Sequence, residues 1–361
     1  MGHPSSNPSR CSLIEPLEPR FLCATYGLEQ LASLTNFHSY PQAAAKLYLD
    51  FDGDFTKKWG DKRPRETPAY SEDADTTTFT DEEITSILAI SRRVAEKFSP
   101  FNLDVTTDDP GNLANKKTFR VVVGGDGAWF NGRRPSPAIG VSYVGGFTNG
   151  APNTGWVFSE QTSDDLNETA DTIAHEAGHG FGLNHQREKQ KGRRLNEYYD
   201  GTSERAPIMG DGDHADRSLW WKTNKKSPQF SPDKIVDELA ILAGKRNGFG
   251  YRVDDFGDRP ATAGAISGTL AAGVIENTSD ADWFSFTSAG GAVSFNARPS
   301  ADAGMLDVSL AVFDASGNLL VSAATPSLDE TLALDNLAAG TYYLVVSSAG
   351  SYGDVGQYSL S

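Results

Sequence analysis

"HEAGHGFGLNH", residues 175–185, gathers three of the chain's six histidines into eleven positions. His175 and His179 stand four apart, so on a helix their imidazoles project from one face, about 5–6 Å apart at Cβ. Two imidazoles at that separation can share one small cation. Glu176 lies beside the pair and off its axis, the HExxH arrangement in which the carboxylate moves protons and does not ligate. Gly182 can take a positive φ, which lets the chain leave the helix sharply and bring His185 back as a third ligand. Three neutral imidazoles suit one Zn2+ and leave a fourth tetrahedral position open, the pattern of a catalytic zinc site. A structural site would close that position with protein, usually cysteine, and none is near in sequence.

Outward from this stretch, "NETADTIAHEAGHGFGL" (167–183) reads as one helix entered at Asn167 and stopped by Gly182. Five upstream segments read as strands: "KLYLDFDG" (46–53), "NLDVTT" (102–107), "FRVVVGG" (119–125), "IGVSYVG" (139–145) and "GWVFSE" (155–160). Thr80 and Glu83 form a capping-box pair ahead of "DEEITSILAISRRVAEKF", an amphipathic helix with Ile84, Ile87, Leu88, Val94, Ala95 and Phe98 on one face. Strands interleaved with helices predict an α/β sheet of mixed direction. After about residue 245 the composition turns to Gly, Asp and Arg, a polar linker over 246–261. Short alternating strands from "DWFSFTS" to "GQYSLS" then predict an all-β sandwich over 262–361, with its own core and independent of what precedes it. Residues 1–44 read as a leader and tether, and 45–245 as the zinc domain.

The chain carries 48 acidic and 32 basic side chains, a formal charge of −16. That excess repels nucleic acid and anionic membrane and excludes both as main partners. No run of 18 apolar residues is present, so no transmembrane helix is expected, and the N-terminus has no apolar h-region. The two cysteines, Cys11 and Cys23, both lie in the N-terminal tail, so the remainder folds without disulfides. A bridge between them and two separate thiols both remain open.

The extended pattern HExxHxxGxxH resembles the zinc signature of the metzincin metalloproteases, which place a methionine turn beneath the metal. "APIMGDG" (206–212) supplies one, with Met209 flanked by Pro207 and Gly210. The resemblance implies an α/β (α+β) catalytic domain with a mixed, mostly parallel five-stranded sheet and an active-site helix, "IGVSYVG" being the antiparallel edge strand that lines the cleft. It implies that His175, His179 and His185 hold one catalytic zinc and that Glu176 is general base and then acid. Gly182 and Met209 are implied as structural residues near the site. Gln186 fits none of the common choices after the third histidine, and Asp211 stands where some branches have a tyrosine. Tyr198 and Tyr199 are the nearest substitutes, and His214 reads as a surface histidine, so the branch stays open.

"DADWFSF", "LDVSLAVFDASGNLL" and "LAAGTYYLVVSS" resemble the bacterial pre-peptidase C-terminal domain, a β-sandwich appended to secreted proteases. Some relatives bind calcium, for which Asp280 and Asp282 are the candidate ligands. "EPLEPRFLCA" (15–24) resembles the LEPR-type N-terminal sorting tag of exported bacterial proteins, with Cys23 where the tag usually has serine. Together these resemblances imply a secreted or envelope-associated, monomeric zinc endopeptidase acting on proteins and peptides. Two rivals stay compatible with the residues. One is a zinc amidase on a non-protein substrate; the other is an adhesion protein whose protease-like domain only binds, against which Glu176 argues.

Overall fold

The computed structural model describes residues 24–361 apart from 64–65, 132–137, 149–151, 163–164, 190–194, 213, 224–235 and 267–270. Both cysteines and all but the last residue of the sorting-like stretch lie outside the described residues. Five strands form the first sheet: β1 (Ala45–Asp50), β2 (Leu103–Thr106), β3 (Thr118–Val123), β4 (Gly140–Val141) and β5 (Thr154–Val157). Their order is β2-β1-β3-β5-β4, parallel throughout except for the antiparallel edge strand β4. The mixed, mostly parallel sheet expected from the sequence is therefore present. Successive residues alternate between its faces. In β3, Phe119, Val121 and Val123 join the main core, while Val122 packs with Trp59, Trp156 and Phe158 on the other side.

Helix α1 (Asp81–Phe98) opens on the expected capping box: the Glu83 amide donates to Thr80 Oγ1 at 3.2 Å, and the Thr80 amide donates to Glu83 Oε2 at 2.8 Å. Its Ile87, Ile90, Val94 and Phe98 are buried against the sheet. Helix α2 (Leu166–Gly180) packs beside it, and its cap is Asp165, not Asn167. The Asp165 carboxylate accepts from the amides of Asn167 and Glu168, whereas Asn167 already lies inside the first turn. At the other end a Cβ on Gly180 would stand 2.4 Å from the Phe119 ring, so only glycine lets α2 close onto β3. A parallel pair, β6 (Arg205–Pro207) and β7 (Arg217–Leu219), and the short α3 (Glu238–Leu242) follow in the same domain, which also takes in an N-terminal strand, Thr25–Gly27, paired antiparallel with Thr78–Thr80.

The second domain comprises β8 (Ala271–Ile275), β9 (Ala281–Pro299), β10 (Val308–Asp314), β11 (Leu319–Ala323), β12 (Glu330–Ser348) and β13 (Gly356–Leu360). These six run antiparallel in the order β8-β13-β9-β12-β10-β11, and a short stretch, Gly264–Ala265, adds in parallel to β9. Segments expected as separate strands are fused into the two 19-residue strands β9 and β12. The rings of Phe286 and Phe295 lie 4.9 Å apart, although nine residues of straight strand span about 30 Å. Strand β9 therefore folds back, at Gly290 and Gly291 with φ of +99° and +108°, and the bent ribbon makes both layers of the sandwich.

The second domain has a core of its own, with Phe284, Leu310, Val312 and Leu344 buried together, and a few of its residues also pack into the first domain. Met305 and Val355 are buried in the same core as Phe98, Trp220 and Leu242. The stretch expected as a polar linker begins inside that core, with Phe249 against Phe101, Phe147 and Phe181. Charged side chains carry much of the junction, and a sequence pattern reads those as solvent-facing. Glu96 and Lys97 are at most 1% exposed, Glu96 accepting from Gln357 Nε2 at 2.9 Å and Lys97 donating to the carbonyls of Ser218 and Ala303. Among the described residues no helix is long and apolar enough to cross a membrane.

Candidate metal centre

His175 and His179 sit one turn apart on α2, and Gly182, with φ of +101°, turns the chain so that His185 returns beside them. The three ring centroids are 4.7–5.1 Å apart, and one nitrogen from each ring falls within 4.8 Å of the others. Every Nδ1 has its own partner: Ile208 O at 2.7 Å for His175, Leu183 O at 2.9 Å for His179, and Glu197 Oε1 at 3.0 Å for His185. Carbonyls and carboxylates accept, so this network places a proton on each Nδ1 and leaves each Nε2 with a bare lone pair. His179 Nε2 and His185 Nε2 are only 3.0 Å apart. Two lone pairs that close repel one another unless a cation lies between them. The donor set fits zinc.

The electrostatics agree with that fit. Burial lowers His175 to about 3, helped by the neighbouring His179, and lowers His179 to about 4. His185 shifts the same way for the same reason, against the pull of Glu197. All three imidazoles are thus held neutral, the ligating form. Burial pushes the Glu176 carboxyl up to about 8, opposed by the nearby Ser142 hydroxyl. Its Oε2 is buried and has no hydrogen-bond partner. A polar atom left bare at a cleft is available to whatever the cleft takes in.

That cleft has a volume of about 520 Å³. It is lined by residues 139–142 on and beside β4, by His175, Glu176 and His179 of α2, and by Tyr198, Ile208 and 210–212. Met209 is fully buried beneath α2, where a Cβ on Gly178 would stand 2.6 Å from its Sδ. The structure therefore brings together His175, Glu176, His179 and His185, with Gly182 at the turn and Met209 below. Tyr198 lies over His185, ring centroids 4.4 Å apart, whereas Tyr199 packs on Trp221. His214 is exposed and outside the group. In the second domain Asp280 and Asp282 come together with Asp254, one carboxylate oxygen from each within 4.8 Å.

Several residues that shape the site have no local signature in the sequence. Glu197 orients His185 from an otherwise ordinary polar loop. Gly140 lies against the catalytic-base candidate, since a Cβ there would be 2.6 Å from Glu176 Oε1. Gln186, legible only as an unusual residue after the third histidine, is buried and donates from Nε2 to Glu238 Oε1 at 2.5 Å. Glu238 also accepts from the Trp221 amide at 2.7 Å, and burial raises its carboxyl to about 8.

Comparison with known proteins agrees with both halves of this description. Residues 94–216 match the reprolysin-like model of metallopeptidase family M12B, and residues 280–348 match the bacterial pre-peptidase C-terminal domain. Among solved structures, the chain is similar to the pre-peptidase C-terminal domain of a collagenase from Bacillus anthracis, at 19% identity and a TM-score of 0.25, over 29% of this chain and 98% of that one. It is also similar to PliG of Aeromonas hydrophila, a periplasmic inhibitor of g-type lysozyme, at 15% identity and a TM-score of 0.21, over 27% of this chain and 92% of that one. No curated protein matches the chain.

Proposed function

We propose that this chain, which carries a reprolysin-like metallopeptidase domain followed by a pre-peptidase C-terminal domain, is an exported, monomeric zinc endopeptidase. The observation that carries the reading is the convergence of three Nε2 lone pairs beside an unpartnered glutamate oxygen in an open cleft. His175, His179 and His185 hold the metal. Zinc held by those three residues would supply Lewis acidity toward a carbonyl and a water in the cleft. Glu176 takes the proton of that water and passes it to the leaving amine. Because Ile208, Leu183 and Glu197 fix the three rings, the ligands need no rearrangement to bind. An extended substrate pairs with the edge strand β4, whose backbone gives grip with little sequence selectivity. The sorting-like tag and the pre-peptidase C-terminal domain both support export.

The test is a pair of variants. Glu176→Ala should keep one equivalent of zinc and lose about 10²–10⁴-fold in peptide hydrolysis, while His179→Ala loses both. Near wild-type turnover by Glu176→Ala would falsify the mechanism. Hydrolysis of small amides but not of casein would favour the amidase reading, and peptide binding without turnover in the wild type would favour the adhesion reading.

A calcium ion at Asp254, Asp280 and Asp282 is part of this reading. It is supported by Asp282, which is fully buried, has Oδ1 unpartnered, and is pushed up to about 8 by burial with the charge of Asp280 adding to it. Hard carboxylate oxygens crowded in this way suit Ca2+. Calorimetric titration should detect binding and the melting temperature should rise; no heat and no shift at millimolar calcium would remove the ion from the account.

A further inference from the structure

We infer that the loop 351–355 of the second domain is a positioning element of the metal centre, supporting two of its three histidines through buried and part-buried hydrogen bonds to the residues that flank them. The inference rests on the zinc reading above. It gives the second domain a role inside the active site, besides any in recruiting substrate.

One route runs through the strands that precede the methionine turn. Arg205 and Arg217 are register partners at the starts of β6 and β7. Arg217 Nη1 donates to Asp354 Oδ1 at 3.1 Å and to the Met305 carbonyl at 2.9 Å. Arg205 Nη2 donates to the Tyr352 carbonyl at 3.2 Å. Gly353 presses on the peptide after β7, where a Cβ would lie 2.4 Å from the Trp220 carbonyl oxygen. Strand β6 leads directly into Ile208, whose amide donates to Leu219 O of β7 at 2.9 Å. The Ile208 carbonyl is the atom that orients His175. Two residues of the loop thus grip the ribbon that aims one ligand.

The second route runs through α3. Tyr352 donates its hydroxyl to Asp237 Oδ1 at 2.7 Å and accepts from the Leu239 amide at 2.9 Å. Between those positions stands Glu238, which receives Gln186 Nε2. Gln186 is the neighbour of His185 in the chain, and its amide donates to the Met209 carbonyl at 2.7 Å. Asp354, Glu238 and Gln186 are each at most 1% exposed. Buried polar groups with one set of partners add little net stability but penalise every other arrangement. Loss of a group bonded directly to a ligating histidine typically costs 10–100-fold in metal affinity, and contacts one step further out sit at the lower end of that range.

The experiment uses the full chain with Tyr352→Phe, which removes one oxygen, and Asp354→Asn, which keeps the shape of the side chain. Zinc affinity is read by competition with a chromogenic chelator, and kcat and KM on a short peptide, all well below each variant's melting temperature. Both variants should bind zinc about tenfold more weakly and show a reduced kcat with an unchanged KM. Leu319→Ser, on an exposed strand of the second domain, should match the wild type. Folded Tyr352→Phe and Asp354→Asn proteins with zinc affinity and kcat within twofold of wild type would overturn the inference, as would an effect confined to KM for large protein substrates. A fall in melting temperature with zinc affinity intact would also overturn it, by making the contact merely structural. Should the wild type hydrolyse no peptide, the endopeptidase reading falls while the chelator competition still decides this one.

Discussion

Replacing Gly140 by alanine adds one methyl group at the edge strand and aims it at the catalytic-base candidate. The new Cβ would stand 2.6 Å from Glu176 Oε1, 2.8 Å from Cγ and 3.0 Å from Cδ. Ordinary contact begins at 3.4 Å, so the carboxylate oxygen must retreat by about 0.8 Å (3.4 − 2.6). Rotating the carboxylate does not relieve the contact, because Cγ is also too close. A misplacement of about 1 Å in a reacting group costs roughly 10²-fold, or about 2.7 kcal/mol in the barrier. The stability cost is smaller: about 1–3 kcal/mol of overpacking, offset by about 0.4–1 kcal/mol from the stiffer unfolded chain. Gly140 is not among the glycines with positive φ, so the backbone itself accepts alanine. Gly140→Ala should therefore fold, retain one zinc and lose about 100-fold in kcat on a quenched fluorescent peptide. Activity within threefold of wild type, with zinc retained, would show that Glu176 does not act from the position seen here.

Removing the carboxylate that orients His185, by Glu197→Ala, should weaken zinc about 10–100-fold with little change in melting temperature, because Glu197 is largely exposed. Equilibrium dialysis against a chelator checks it, and unchanged affinity would remove Glu197 from the site. Glu96 gives a pH prediction: burial holds its carboxyl at about 8, against 4.5 as the ordinary value. Between those values the folded state binds the extra proton, so its contribution is full below pH 4.5 and is lost as pH rises through 8. The fall is about 1.4 kcal/mol for each pH unit crossed. Urea unfolding of Glu96→Gln at several pH values should show a shallower fall than wild type, the remainder coming from other buried carboxyls held near 8, Glu176, Glu238 and Asp282 among them, and an identical slope would refute the assignment.

The metal centre is legible because its chemistry is local. Two histidines one helical turn apart, a glycine able to take a positive φ and a third histidine lie within eleven residues, and no tertiary fact is needed to bring them near one another. The five-stranded sheet is legible for a related reason, since buried parallel strands leave apolar runs such as "VVV" (121–123) that survive any arrangement of loops. What the pattern misses depends on long-range contact. The start of α2 reads two residues late because Asn167 and Asp165 are both good caps, and only the bonds to the Asn167 and Glu168 amides choose between them. Gly140 carries no sign of its importance until the sheet edge is laid against Glu176. The junction misleads for a deeper reason: hydrophobic periodicity assigns Glu96, Lys97, Arg217 and Asp354 to solvent, yet each is at most 8% exposed. Such groups tolerate burial only where a partner from elsewhere in the chain meets them, as Gln357 meets Glu96 and Arg217 meets Asp354. A charged residue can therefore mark a domain interface as firmly as an apolar one, but only the folded pair reveals it. That is why a second domain with its own core still packs into the first, and why its loop reaches the residues that support the ligands there.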